Sequence, residues 1–63
     1  MAEATLLRTV EGPKGKAEIF ELQDGEGGST RTVYEVRADG KTERCLAMGE
    51  AFITAGELVG TKL

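Results

Sequence analysis

Cys45 is the one strong nucleophile in this chain, and the chain contains no histidine to serve it as a base. A reactive thiolate needs such a base, or a positive setting that lowers its pKa. Arg44 adjoins it in sequence, but alternation along a strand sends Arg44 to the opposite face. Cys45 therefore reads as a small core residue beside Tyr34. A single thiol closes no internal disulfide, and one thiol among scattered carboxylates is not a zinc set. No metal ligand, no cofactor-binding residue and no cofactor are expected.

Three other patterns carry chemistry elsewhere, and each fails here on spacing. Gly12-Pro13-Lys14-Gly15-Lys16 has the look of a phosphate-cradling loop. That loop requires four residues between its glycines, then Lys and Ser or Thr, and a helix to receive the phosphate. Here Ala17 replaces the hydroxyl and a strand follows, so an ordinary turn is expected. Asp24-Gly25-Glu26 lacks the oxygen count and spacing of a calcium loop. Glu18, Glu21, Glu35, Glu43, Glu50 and Glu57 are spread through the chain, and nothing in their spacing brings two into one cleft. The chain is not expected to be an enzyme, and no catalytic residue is assigned.

The charge balance narrows the partners. Eight basic and 11 acidic residues give a net charge of −3, which repels a polyanion unless the bases cluster. Arg8, Lys14, Lys16, Arg31, Arg37, Lys41, Arg44 and Lys62 are instead interleaved with acids, so nucleic acid is disfavoured. A binding module for a small ligand or nucleic acid, using the Arg31, Arg37 and Arg44 side of a sheet, is the alternative. No window approaches the ~20 apolar residues of a membrane span. The opening Met1 to Arg8 lacks the basic start and long apolar run of a secretory leader. With the lone thiol, these features lead us to expect a soluble cytoplasmic protein with no membrane partner.

The elements that must position these residues are four β-like runs and one helix within a single domain, 1–63. Thr5 to Val10 ends at a turn over Glu11 to Gly15, and Ala17 to Leu22 follows. Asp24 to Ser29 is rich in glycine, and its ordering cost predicts a mobile tip. Thr30 to Arg37 and Thr42 to Leu46 flank Asp39-Gly40, a strong signal for a two-residue type I′ hairpin. That turn predicts the register Ala38–Lys41, Arg37–Thr42, Val36–Glu43, Glu35–Arg44, Tyr34–Cys45 and Val33–Leu46. Tyr34, Val36 and Cys45 then share one face, with Glu35, Arg37, Thr42 and Arg44 on the other.

The outer strands alternate less cleanly. Ala17 and Ile19 oppose Phe20 and Leu22, while Leu6 and Val10 oppose Leu7. Both faces of the sheet thus keep large apolar groups, Val33 and Leu46 among them, where an antiparallel sheet with one wet face should alternate better.

The helix is read over Gly49 to Thr61. At 3.6 residues per turn, Met48, Ala51, Phe52, Ala55, Leu58 and Val59 form a core-facing stripe. Gly49, Ile53, Gly56 and Gly60 fall nearly opposite. Gly49 fits an N-cap and Gly60 a position beyond the last turn. Gly56 costs about 1 kcal/mol against alanine in a helix interior, and Ile53 would face water. Three readings stand: the glycines do no more than begin and end the helix, with Gly56 and Ile53 left without a neighbour; the face packs closely against a second molecule; or it makes a close contact with the chain's own first strand.

The fold expected is α+β, a three- to four-stranded antiparallel β-meander with one C-terminal helix packed on one face. Sixty-three residues bury only about 60% of the surface their unfolded chain exposes, so a partner subunit is the natural support. The expected function is that of a small interaction or regulatory protein acting through a homodimeric surface, with a larger protein as a second class of partner. The residues expected to carry self-association are Ile53, Gly56 and Gly60, with Phe20, Leu22, Val33 and Leu46.

Overall fold

The Asp39-Gly40 turn organises the second half of the sheet. Both residues adopt positive φ, 34° at Asp39 and 81° at Gly40, as a type I′ turn requires. The ladder that follows pairs Ala38 with Lys41, Arg37 with Thr42, Val36 with Glu43, Glu35 with Arg44 and Tyr34 with Cys45. This is the register the turn predicts, except that the ladder stops at Cys45 and leaves Leu46 outside it.

A computed structural model describes residues 4–26 and 28–61. It is an α+β arrangement: β1 (Ala4–Gly12), β2 (Gly15–Glu26), β3 (Ser29–Ala38), β4 (Lys41–Cys45) and α1 (Met48–Val59). The strands form one open sheet in the order β1-β2-β3-β4, every neighbouring pair antiparallel. No helix among the described residues is long and apolar enough to cross a membrane. Of the sequence features noted above, the start of the leader reading (Met1 to Glu3), Gly27 of the tip, and Lys62 lie outside the described residues.

The core sits between the sheet and α1. Ala17, Ile19, Val36, Ala38 and Cys45 from the strands meet Ala51, Ala55 and Val59 from the helix, with Val10, Tyr34, Phe52 and Leu58 packed around them. The four alanines let the helix backbone come close to the sheet, while Ile19, Val36 and Val59 fill the remaining volume. Cys45 is 4% exposed in this layer and its sulfur lies 3.6 Å from Thr54 Oγ1, an alcohol rather than a base.

Three local expectations need correction. Met48, placed on the core stripe, begins the helix and is 40% exposed. Ala47, not Gly49, is the N-cap, with extended backbone and no side-chain cap bond. The Asp24–Ser29 tip is mostly strand, because the β2–β3 ladder continues through Gly25–Thr30 to Glu26–Ser29. Cross-strand hydrogen bonds there order a backbone whose composition alone favours freedom.

The helix ends where its last glycine predicts. Gly60 has φ 78°, its N–H donates to the Glu57 carbonyl, and the Thr61 N–H donates to the Gly56 carbonyl at 2.8 Å. This paired closure satisfies carbonyls that the last turn would otherwise leave open. The β1–β2 turn then clasps the helix end. Lys14 N–H donates to the Val59 carbonyl at 2.9 Å, and the Thr61 hydroxyl donates to the Glu11 carbonyl at 3.4 Å. Gly12 lies under this clasp, where a methyl group would collide with the Val59 carbonyl oxygen and its Cγ2.

Candidate interaction surface

The helix covers one face of the sheet, and among the described residues no second layer covers the other. A bulge in β1 decides what that open face displays. Leu6 pairs with Phe20 but Arg8 pairs with Ile19, so Leu7 is the extra residue. Residues before and after a bulge change sides relative to simple alternation. Leu6 therefore joins Phe20 on the open face, while Val10 pairs with Ala17 toward the helix. The expectation that Leu6 and Val10 share a face is corrected by this one insertion. The same flip turns Arg8 to the helix side, where its guanidinium lies 5.6 Å from the centroid of the Phe52 ring.

Side chains of directly paired residues share a face, so the open face can be written in rows. Its middle is apolar: Ala4, Leu22 and Val33 in one row, then Leu6 and Phe20 leading into Glu35 and Arg44. Charged rows lie on either side, Asp24 opposite Arg31 at one end, Glu18 opposite Arg37 and Glu11 opposite Lys16 at the other. Each acid in these rows faces a base across the strands. Among these rows the acids and bases are matched one for one.

Glu35 is the best-held charge of the set. Its side chain is 12% exposed and accepts from Arg37 Nε at 2.6 Å, with Arg44 Nη2 at 3.5 Å from its second oxygen. The hydrogen bond from Arg37 holds its pKa below the usual carboxylate value; burial pushes the other way and is outweighed, with the Arg37 charge and the Arg44 contact adding to the depression. Arg37 also lies 4.3 Å from the centroid of the Phe20 ring, a stacking geometry that favours a guanidinium over an aromatic face. One side chain thereby shelters the ring and neutralises the buried carboxylate.

This arrangement separates residues that the sequence groups together. Arg31 and Arg37 are six residues apart on one strand, roughly 20 Å at strand rise, and Arg31, Arg37 and Arg44 each have an acid opposite. They do not pool into one positive field. The seven self-association residues also divide. Phe20, Leu22 and Val33 lie on the open face, with Phe20 and Leu22 partly buried and Val33 only 2% exposed. Leu46 follows the last ladder residue and is 69% exposed. Ile53, at 58%, is exposed on the helix, away from the open face, and Gly60 is exposed at the helix's C-cap beside Lys14. Gly56 is buried within its own chain, so the outward position read from its spacing is corrected: the fold itself closes over it.

Leu6 and the Arg37–Phe20 stack were not singled out from the sequence. One signal was available for the charged rows. Glu18 and Asp24 are spaced as Arg31 and Arg37 are, which matches acids to bases in a single antiparallel register.

A shallow depression of about 120 Å³ is lined by Lys14, Ala38, Asp39, Lys41 and Leu58, below the several hundred Å³ of sites that enclose small molecules. Among the described residues no three His, Cys, Asp or Glu side chains gather in a metal-binding arrangement. The chain matches no protein-family model, no curated protein and no solved structure.

Proposed function

We propose that this is a small, non-catalytic interaction protein of the cytoplasm that acts as a homodimer. The observation that carries the reading is surface in excess of mass. A compact monomer of 6.7 kDa exposes about 3,900 Å², whereas this chain exposes 4552 Å². Its radius of gyration is 12.2 Å, against roughly 10.6 Å for a compact chain of this length. Leu6, Leu7, Leu46, Met48 and Ile53 are all more than a third exposed, which supports association over an isolated existence. A buried thiol with an alcohol neighbour fits a reducing compartment and a structural role.

Sedimentation equilibrium of the full chain over a wide concentration range tests this. The expected result is a species of twice 6.7 kDa. A single 6.7 kDa species persisting at high micromolar concentration overturns it.

A further inference from the structure

Resting on that reading, the geometry points to a sheet-on-sheet dimer: a second copy of this chain covers the open face, and the helix stays outside. Three surfaces compete for the partner. The exposed side of α1 presents Ile53 between Glu50 and Glu57, and the helix has no base in its last turn. Two such helices related by a two-fold axis bring acid toward acid, and Gly56 is no longer available for close packing because its own chain buries it. The strand edges are short or broken: β4 has five residues, and β1 is interrupted by its bulge and then by Arg8.

The open face has the opposite character. Its apolar middle, led by half-exposed Leu6 with Phe20 and Leu22 partly buried beside it, is bounded by acids and bases that pair across the strands. Its charge columns are also self-complementary. In the rows flanking the apolar middle, β2 supplies the acids Glu18 and Asp24 and β3 the bases Arg31 and Arg37. A two-fold axis running along the strands, between β2 and β3, lays Glu18 and Asp24 over the partner's Arg37 and the partner's Arg31, Leu22 over the partner's Val33, and Phe20 and Leu6 over the partner's Glu35 and the partner's Arg44. An axis across the strands lays acid over acid and is disfavoured. Glu35 and Arg37 enter such an interface already paired, which lowers the cost of removing them from water. Aligned stacking of two sheets at about 10 Å is an established way of closing such a face.

The test uses the full chain throughout. Isotope-filtered nuclear Overhauser spectra of a mixture of labelled and unlabelled protein should show intermolecular contacts from the Phe20 ring and the Leu22 and Val33 methyls. They should show none from Ile53. In sedimentation equilibrium, the double variant Leu6→Gln/Leu22→Gln should weaken dimerisation at least tenfold, with Ile53→Glu leaving it within twofold of the parent. Intermolecular contacts from Ile53, or a dimer lost in Ile53→Glu but intact in the double variant, overturn this inference while leaving self-association standing. A parent chain that is monomeric, with no intermolecular contacts, overturns both. The spectra need no variant, so misfolding of the double variant does not shield the inference.

Discussion

The two faces of this one sheet meet water on different terms. On the helix side, Ala17, Ile19, Val36, Ala51 and Ala55 are fully excluded from solvent, and the described residues include no buried side-chain nitrogen or oxygen without a hydrogen-bond partner. That face is held by area removed from water, a force that ignores direction and responds little to salt or pH. On the open side, the same strands contribute their alternate positions, and shelter comes from pairing: Arg37 over Phe20, Glu35 between two arginines, acids opposite bases. That face depends on charge and geometry, so ionic strength and acid reach it first. A small domain can thus hold one face by packing and shelter the other by pairing its charges across the strands.

Breaking the packed face should have the largest effect. Ile19→Ala removes the centre of the dry layer and is expected to cost 2–5 kcal/mol, by comparison with other large-to-small core changes (~2–5 kcal/mol). The whole stability of a chain this short is roughly 3–9 kcal/mol, so the urea midpoint should fall by about half. A midpoint within error of the parent would mean that the helix does not seal this side.

An intermediate effect is expected where the turn clasps the helix. Gly12→Ala places a methyl against the Val59 carbonyl, which is backbone and cannot rotate aside. Overpacking of this kind costs about 1–3 kcal/mol. Amide exchange at Lys14, whose N–H donates to that carbonyl, should accelerate more than exchange in the β3–β4 hairpin. Equal acceleration in both places would show global loosening instead of a local clasp.

The smallest effect belongs to the open face. Glu35 has a lowered pKa, chiefly through the Arg37 hydrogen bond. Its contribution is therefore complete above the unfolded carboxylate value of about 4.3 and is lost as the pH falls through the lower folded value. Glu35→Gln should cost about 1 kcal/mol at pH 7, and the gap to the parent should close in acid and narrow in high salt. A gap unchanged between pH 7 and pH 3 would remove the ion pairing from the account of this face.

Legibility follows the range over which each feature is decided. The β3–β4 register was written in Asp39-Gly40, since two adjacent positive φ values and a two-residue loop leave one pairing open to the chain. The end of α1 was written in Gly60 for the same local reason. Tyr34, Val36 and Cys45 could be placed on one shared face from alternation alone, and the packing of α1 decided that it is the helix side. The sidedness of β1 could not, because the bulge at Leu7 depends on how β1 meets β2, and nothing in the Leu6-Leu7-Arg8 stretch marks which residue is extra.

By itself the sequence determined the α+β class, the meander with its closing helix, the tight hairpin and the helix stop, each set by contacts among residues near one another in the chain. Only the tertiary structure decided that Leu6 turns to the open face, that Gly56 is enclosed by its own molecule, that Ala47 rather than Gly49 begins the helix, and that Arg37 serves Glu35 and Phe20 at once. Those outcomes depend on what distant segments bring alongside, and neither composition nor periodicity carries that information.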